Sequence, residues 1–244
     1  MKIGISTAVS TGKDNWDRMI DLINHDFKNI QLYNKITRIR FADIEPLLIL
    51  KNKQKLTYSF HSMVQDLFCS DKVIADGEFY LLKEEIRIAS LLKCPEIIFH
   101  ISKKIPLSVK EKNSLNQLIN FAIKNNIILC LENNSSTSPF SGDYLIDFLN
   151  EYKNLFFCLD IGHFNIALKK GLVSNFDNFL EKVKNKIIQL HLNYNDGVKD
   201  QHIDFSNKGY RYLHKILQFI DQKDFVAFIE TKNIKQALKI KKYF

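Results

Sequence analysis

The chain is poor in the residues that cross-link or interrupt a polypeptide. Its 244 residues include only 4 Cys, 4 Pro and 8 Gly, and no two cysteines have CxxC spacing. A disulfide framework and a zinc site made of thiolates are therefore not expected. Cys130 and Cys158 lie inside apolar runs and are predicted to be buried thiols.

Long hydrophobic segments are missing as well. No apolar run approaches the roughly 18 residues that a membrane-spanning helix needs. The N-terminal sequence MKIGISTAVS lacks the basic and apolar regions of a signal peptide. No Pro- or Gly-rich linker or low-complexity segment divides the chain. We therefore expect one cytoplasmic domain over residues 1–244, with no membrane partner.

Basic residues are in excess. The 35 Lys and Arg against 27 Asp and Glu give a formal net charge of +8. Such a charge is compatible with an anionic partner such as DNA or a sugar phosphate. The abundance of Lys, Asn and Ile could equally reflect a biased base composition, so the charge alone does not choose a partner class.

Eight short apolar runs recur along the chain, separated by segments with helical periodicity. Each run is continuous rather than alternating, which is typical of strands buried on both faces of a parallel sheet. The predicted strands are 2–6, 29–33, 56–60, 96–99, 127–131, 155–159, 187–190 and 225–229. Eight such repeats, in a chain close to the roughly 250 residues of a (β/α)8 barrel, predict an α/β fold with a single TIM barrel.

The segments between the strands carry apolar stripes at helical spacing. One stripe consists of Leu115, Leu118, Ile119, Ala122 and Ile123, and similar stripes run through 176–183 and 213–220. We expect these faces to pack on the barrel. Ser108 and Ser174 are predicted to be helix N-caps.

Metal-ligand types of residue follow six consecutive strands. They are His61, His100, Glu132, Asp160, His191 and Glu230, at the ends of strands 3 to 8. Three more candidates, His163, Asp200 and His202, lie in the loops just beyond. In a parallel barrel all of these side chains gather at one mouth, where such barrels place their chemistry.

Nine acids and imidazoles at one mouth predict a metal centre. Clustered carboxylates repel one another and raise each other's pKa unless cations compensate them. Ligation by His, Asp and Glu without Cys suits zinc, manganese or iron. The pattern therefore indicates divalent metal without choosing the element.

Six segments resemble the successive strand-end motifs of the xylose isomerase-like TIM barrel superfamily. They read HSMVQDLF, IIFHIS, CLENNSS, CLDIGHFNIA, LHLNYNDGVKDQH and FIETK. The resemblance covers nearly the whole chain and implies the same barrel. Members include apurinic/apyrimidinic (AP) endonucleases of the endonuclease IV type, and also sugar isomerases and epimerases.

The branches of this superfamily imply different ligand sets. The isomerases and epimerases need one metal, which here would be held by Glu132, Asp160, His191 and Glu230. The endonuclease branch holds three metals. By resemblance, His61 and His100 would share one with Glu132; Asp160, His191 and Glu230 would hold a second; His163, Asp200 and His202 would hold a third. Because every one of these residues is present, the resemblance favours up to three ions, with zinc expected first and manganese or iron as alternatives.

Our first hypothesis is a metal-dependent phosphodiester hydrolase that acts on abasic sites in DNA. Clustered cations generate hydroxide and stabilise the attacking and leaving oxygens. Arg38 falls where the endonuclease branch has a DNA-contacting Arg. The alternative is a sugar or sugar-phosphate isomerase or epimerase, in which Glu132 and Glu230 move protons beside a polarised carbonyl. A metal-binding barrel without catalysis is a third hypothesis.

Three features depart from the endonuclease branch. The loop after His202 reads IDFSNKGY and keeps only Gly209 where relatives usually show GxG. Val64 and Gln65 stand where that branch carries bulky residues that wedge into DNA. The chain is also short for that branch, and HLNYNDGVKDQH resembles relatives grouped with the sugar isomerases.

Overall fold

Eight parallel strands close into a barrel in the order of the sequence. The computed structural model describes residues 1–64, 67–101, 106–135, 138–220 and 225–244. The strands are β1 (Lys2–Ser6), β2 (Asn29–Tyr33), β3 (Thr57–His61), β4 (Glu96–Phe99), β5 (Ile128–Glu132), β6 (Leu155–Asp160), β7 (Ile187–Leu192) and β8 (Val226–Ile229). Each strand pairs in parallel with its neighbours, and β8 closes on β1. The predicted α/β barrel is confirmed.

Helices follow the strands and surround the barrel. They are α1 (Asn15–Asn24), α2 (Asn34–Thr37), α3 (Ile44–Gln54), α4 (Lys72–Leu91), α5 (Val109–Lys124), α6 (Tyr144–Glu151), α7 (Ile161–Lys169), α8 (Phe176–Val183), α9 (Asn207–Leu217) and α10 (Ile234–Lys241). Short 3-10 turns occur at Thr7–Val9, Phe41–Asp43 and Pro139–Ser141. The organisation of residues 1–244 as one domain stays a prediction.

The strands bury apolar side chains on both faces, as their continuous hydrophobic runs predict. Phe60, Leu131 and Phe157 belong to a large core together with helix residues. Cys130 and Cys158 form a separate small cluster with Ile98, and both thiols are fully buried, as predicted. Successive side chains of a strand point to opposite faces. Cys130 and Cys158 each precede a strand-end acid by two residues, so they lie on the same face as those acids, inside the barrel.

The helical stripes pack on the barrel with one exception. In α5, Leu115, Leu118, Ile119 and Ala122 are buried, whereas Ile123 is 47% exposed. The prediction for Ile123 was wrong because the residue lies at the edge of the stripe, one position beyond the arc that faces the strands.

Local capping fixes where these helices begin. Ser108 caps α5, as predicted, and forms a reciprocal capping box with Glu111. The prediction for Ser174 was wrong. The N-cap of α8 is Asn175, whose side chain accepts a hydrogen bond from the backbone N–H of Asn178, and an Asn side chain caps a helix as well as Ser does.

A membrane-spanning helix must be both long and apolar. Within the described part of the chain, no helix combines the length and the apolar character that crossing a bilayer would require.

A pair of substitutions in α5 tests this packing. Leu118→Ala removes a fully buried side chain, so it should destabilise the fold by about 2–5 kcal/mol. Ile123→Ala, on the exposed side of the same helix, should change stability by no more than about 0.5 kcal/mol. Urea denaturation followed by circular dichroism measures both. Equal losses in the two variants would contradict the assigned helix face.

Candidate metal centre

The predicted ligands gather at the mouth formed by the carboxyl ends of the strands. The register of the sheet sets part of this arrangement, since Asp160 of β6 lies beside His191 of β7. Several groups of candidate ligand atoms lie within 4.8 Å of one another, and three of these groups are His61, His100 and Glu132; Glu132, Asp160, His191 and Glu230; and His163, Asp200 and His202. These are the groups that the resemblance implies. Their role as metal ligands stays a prediction.

Glu132 stands at the centre of the site. Its Oε2 lies 3.0 Å from His61 Nε2 and 3.3 Å from His100 Nε2. Its Oε1 lies 3.2 Å from His191 Nδ1 and 3.5 Å from His163 Nδ1. Burial alone would raise the pKa of Glu132, but the charges of His191 and His100 hold it well below its usual range. The carboxylate is therefore ionised at neutral pH.

Four of the histidines are anchored in the same way. Each has its Nδ1 beside an oxygen: His61 at 3.0 Å from Ser62 O, His100 at 3.1 Å from Asn134 Oδ1, His163 at 2.7 Å from Asn133 O and His202 at 2.7 Å from Glu230 O. A neutral ring that donates from Nδ1 keeps a lone pair on Nε2. In all four rings Nε2 faces a carboxylate. A lone pair on Nε2 and a carboxylate oxygen repel each other, so the contact is favourable only with a proton or a cation between them. Metal-bound histidines are commonly anchored in this way through their second ring nitrogen.

Asp200 bridges the outer pair of histidines. Its Oδ2 lies 3.1 Å from His163 Nε2 and its Oδ1 lies 3.2 Å from His202 Nε2. Burial would lower the pKa of His202, but Asp200 and Asp160 raise it to about 9. Burial would raise the pKa of Asp200, whereas the two histidines lower it below its usual range. Without a cation, shared protons compensate this group.

A closed loop returns Asp200 and His202 to the mouth. Tyr194, just after β7, pairs with Ile203 through two backbone hydrogen bonds of 2.9 and 3.0 Å. His202 adopts a left-handed backbone conformation with φ +47°, which is uncommon outside glycine. Its carbonyl accepts a hydrogen bond of 2.9 Å from the N–H of Lys232, which ties the loop to the end of β8.

The segment that contains Asp160, Gly162 and His163 needs its glycine. Asp160 caps α7, because its Oδ1 accepts a 2.7 Å hydrogen bond from the N–H of His163. Its Oδ2 accepts from Asn193 Nδ2 at 2.5 Å. A Cβ on Gly162 would lie only 1.9 Å from Asn193 Oδ1. A side chain at this position would therefore force Asn193 to move from its place beside Asp160.

His191 tests whether these residues fit a cation. Within the described part of the chain its buried Nδ1 makes no hydrogen bond of good geometry, although it lies 3.2 Å from Glu132 Oε1 and 3.5 Å from Glu230 Oε2. Burial would lower the pKa of His191, but these two acids raise it to about 9. A ring nitrogen without a partner, aimed between two carboxylates, is a suitable ligand for a divalent cation. The donor set therefore fits a metal.

A family profile described as xylose isomerase-like TIM barrel matches residues 18–242. The chain belongs to that family. Solved structures agree in fold over nearly the whole length. A D-tagatose 3-epimerase-like protein is 22% identical, with a TM-score of 0.84 over 100% of this chain and 95% of the other. An L-ribulose 3-epimerase is 16% identical, with a TM-score of 0.74 over 100% and 87%.

Another solved structure with this xylose isomerase-like fold contains zinc. The IOLI protein with a binding zinc atom is 13% identical, with a TM-score of 0.75 over 97% of this chain and 91% of the other. Identities this low establish the fold alone. Among curated proteins, none matches the sequence.

Four further positions were singled out in the sequence, namely Arg38, Val64, Gln65 and Gly209. Arg38 is exposed and ends α2 in a left-handed conformation with φ +46°. Its side chain makes no hydrogen bond or ion pair with the described residues, and its DNA-binding role stays a prediction. Val64 is fully buried, whereas Gln65 lies outside the described residues. Gly209 is buried in the first turn of α9.

Other side chains of the site escaped the sequence reasoning. Gln31 and Gln189 contact His191 from inside the barrel, and Tyr33 packs edge-on against His61 with ring centroids 4.6 Å apart. The sequence could have indicated the two glutamines, because each is a polar residue inside an apolar strand, two positions before a strand-end residue, and so lies on the same face as that residue. The only sequence signal for Asn193 was its place two positions after His191.

The raised pKa values predict how stability depends on pH. His191 and His202 titrate near 9 in the folded metal-free protein, against about 6.5 in an unfolded chain. Their protonation therefore stabilises the fold fully below about pH 6.5, and this contribution is lost as the pH rises through about 9. The Tm of the metal-free protein should fall across this window. Zinc-loaded protein should lose less, since the cation replaces the protons. Scanning fluorimetry from pH 6 to 9.5 measures both forms, and a flat metal-free profile would contradict the assignment.

Proposed function

We propose that this protein is a divalent-metal-dependent epimerase or isomerase of a sugar or sugar phosphate. The observation that carries the proposal is that two glutamates contact the same histidine nitrogen. Glu132 Oε1 and Glu230 Oε2 lie 3.2 and 3.5 Å from His191 Nδ1. Together with Asp160 these residues form a four-ligand group. The similarity in fold to epimerases of ketoses supports the proposal.

A bound divalent cation would polarise the carbonyl oxygen of a ketose and acidify the neighbouring C–H. Glu132 and Glu230 are the groups that we propose move the proton. One carboxylate takes it from the carbon and the other returns a proton to the opposite face, which inverts that carbon. Asp160, fully buried and held by His163 N–H and Asn193, keeps the position of the ligand group fixed.

Zinc is the ion that we propose first, with manganese or iron as alternatives. The ligands are imidazole nitrogens and carboxylate oxygens, which all three metals accept. Three groups of ligands support a capacity of up to three ions. A sugar phosphate as substrate would also suit the net charge of +8.

A second candidate is the hydrolysis of phosphodiester bonds at abasic sites in DNA. A specific observation favours it. His61 and His100 lie within 3.3 Å of Glu132 Oε2, and His163 and His202 flank Asp200. A proton shift at one metal has no obvious need for these additional groups, whereas hydrolysis gains from further cations that stabilise the attacking and leaving oxygens.

The two glutamates are tested by isosteric substitution. Glu132→Gln and Glu230→Gln should each reduce kcat on the active sugar by about 10²–10⁴-fold, because a neutral amide cannot move a proton. Glu151→Gln serves as a control, since Glu151 is a half-exposed residue of α6 paired with Lys112. Circular dichroism should show intact folds. Turnover that survives in both site variants would place the chemistry elsewhere.

The outer histidine group separates the two candidate functions. The zinc- or manganese-loaded protein is incubated with a panel of ketoses and ketose phosphates, and separately with a duplex that contains one abasic site. We expect sugar turnover, with most of it retained in His202→Ala. Nicking of the abasic duplex without sugar turnover, and its loss in His202→Ala, would instead select the hydrolase.

A further inference from the structure

A layer of polar side chains lies inside the barrel directly below the ligands. Gln31 of β2, Ser59 of β3 and Gln189 of β7 are no more than 1% exposed. Each precedes the strand-end residue Tyr33, His61 or His191 by two positions, so it shares that residue's face of the sheet. Buried polar groups are costly without partners. Their partners therefore show what the layer does.

Both glutamines converge on one nitrogen of His191. The Nε2 atoms of Gln31 and Gln189 lie 2.9 and 3.1 Å from His191 Nε2. Ser59 Oγ donates to Gln189 Oε1 at 3.3 Å, whereas the buried Oε1 of Gln31 has no hydrogen-bond partner among the residues that the structure describes. Two amide nitrogens thus face a ring nitrogen that has at most one lone pair.

His191 is the exception among the five histidines of the site. The other four have Nδ1 beside an oxygen acceptor and Nε2 toward a carboxylate. His191 is reversed, with Nδ1 toward Glu132 and Glu230 and with Nε2 in the polar layer. When Nδ1 binds a cation, the neutral ring carries its hydrogen on Nε2, and that N–H needs an acceptor. An amide nitrogen cannot accept it, but an amide oxygen can. Which end of an amide faces the ring is assigned from the hydrogen-bond network.

We propose that Gln31 and Gln189 are positioning residues that accept the Nε2–H of His191 through their amide oxygens, and so present Nδ1 to the metal. In this orientation the two amide oxygens share the single Nε2–H of His191, and the amide nitrogen of Gln31 takes the buried position that has no partner among the described residues. The amide nitrogen of Gln189 then donates to Ser59 Oγ, whose hydroxyl hydrogen is directed to Glu96, its further hydrogen-bond partner. The inference rests on the proposed metal-dependent function of the same site.

Two substitutions at position 31 separate hydrogen bonding from packing. Gln31→Met keeps a side chain of similar length without an acceptor, and Gln31→Glu keeps the acceptor oxygens. Ile98→Val is the matched control, because Ile98 is fully buried in a cluster with Cys130 and Cys158 and its side chain has no polar atom. Zinc affinity is measured by competition with a chromophoric chelator. Gln31→Met should lose about 10- to 100-fold in affinity, as partners of metal-bound histidines typically do, while Gln31→Glu and Ile98→Val should bind like the wild type.

Magnetic resonance gives a readout that needs no variant to fold. In zinc-loaded wild-type protein with ¹⁵N-labelled histidine, the Nε2 of His191 should carry a directly bonded hydrogen and Nδ1 should carry none. A hydrogen-free Nε2, or wild-type affinity in both Gln31→Met and Gln189→Met, would overturn the inference while leaving the metal centre in place. A wild-type protein that binds no zinc, manganese or iron would overturn the proposed function and this inference together.

Discussion

The charge of one buried carboxylate governs the mouth of this barrel. Glu132 is 2% exposed, yet its two oxygens lie within 3.5 Å of nitrogens from four histidines. An ionised carboxylate at such depth is costly unless opposite charge surrounds it. The imidazoles provide that charge when protonated, and a metal ion would provide it when they are neutral. Protons and cations therefore compete for the same site, which couples metal binding, pH and stability.

The histidines can serve this carboxylate because their other ring nitrogens are already held. Backbone carbonyls hold three of the rings, and Asn134 holds His100. His191 depends instead on the glutamines inside the barrel. An anchored ring has a defined tautomer and loses little rotational freedom when it binds a cation. The polar layer below the mouth therefore orients His191, one of the candidate ligands above it.

The family and the site answer different questions about the reaction. Membership in the xylose isomerase-like barrels sets where the chemistry lies, since the strand ends of such a barrel converge on one mouth. A barrel of this kind supports many reactions, so the reaction must be argued from the site. In the proposed epimerase the central group of Glu132, Asp160, His191 and Glu230 would carry out the proton shift, and the two flanking histidine groups have no part in that proposal. The choice between epimerisation and hydrolysis depends on how many of these groups hold an ion.

Sequence alone determined the barrel and which residues stand at its mouth. Continuous apolar runs predict strands buried on both faces, and in a parallel barrel every strand end reaches the same mouth, so nine candidate ligands could be named from their places in the chain. The partners of those ligands depended on the tertiary structure. Gln31 meets His191 across 160 positions of sequence, and the contact follows from the closure of β1 on β8 and the depth of each side chain in the barrel. The left-handed turn at His202 and the approach of Asn193 to Gly162 were likewise decided only in three dimensions, because contacts between segments that are distant in the chain leave no periodic signal in the sequence.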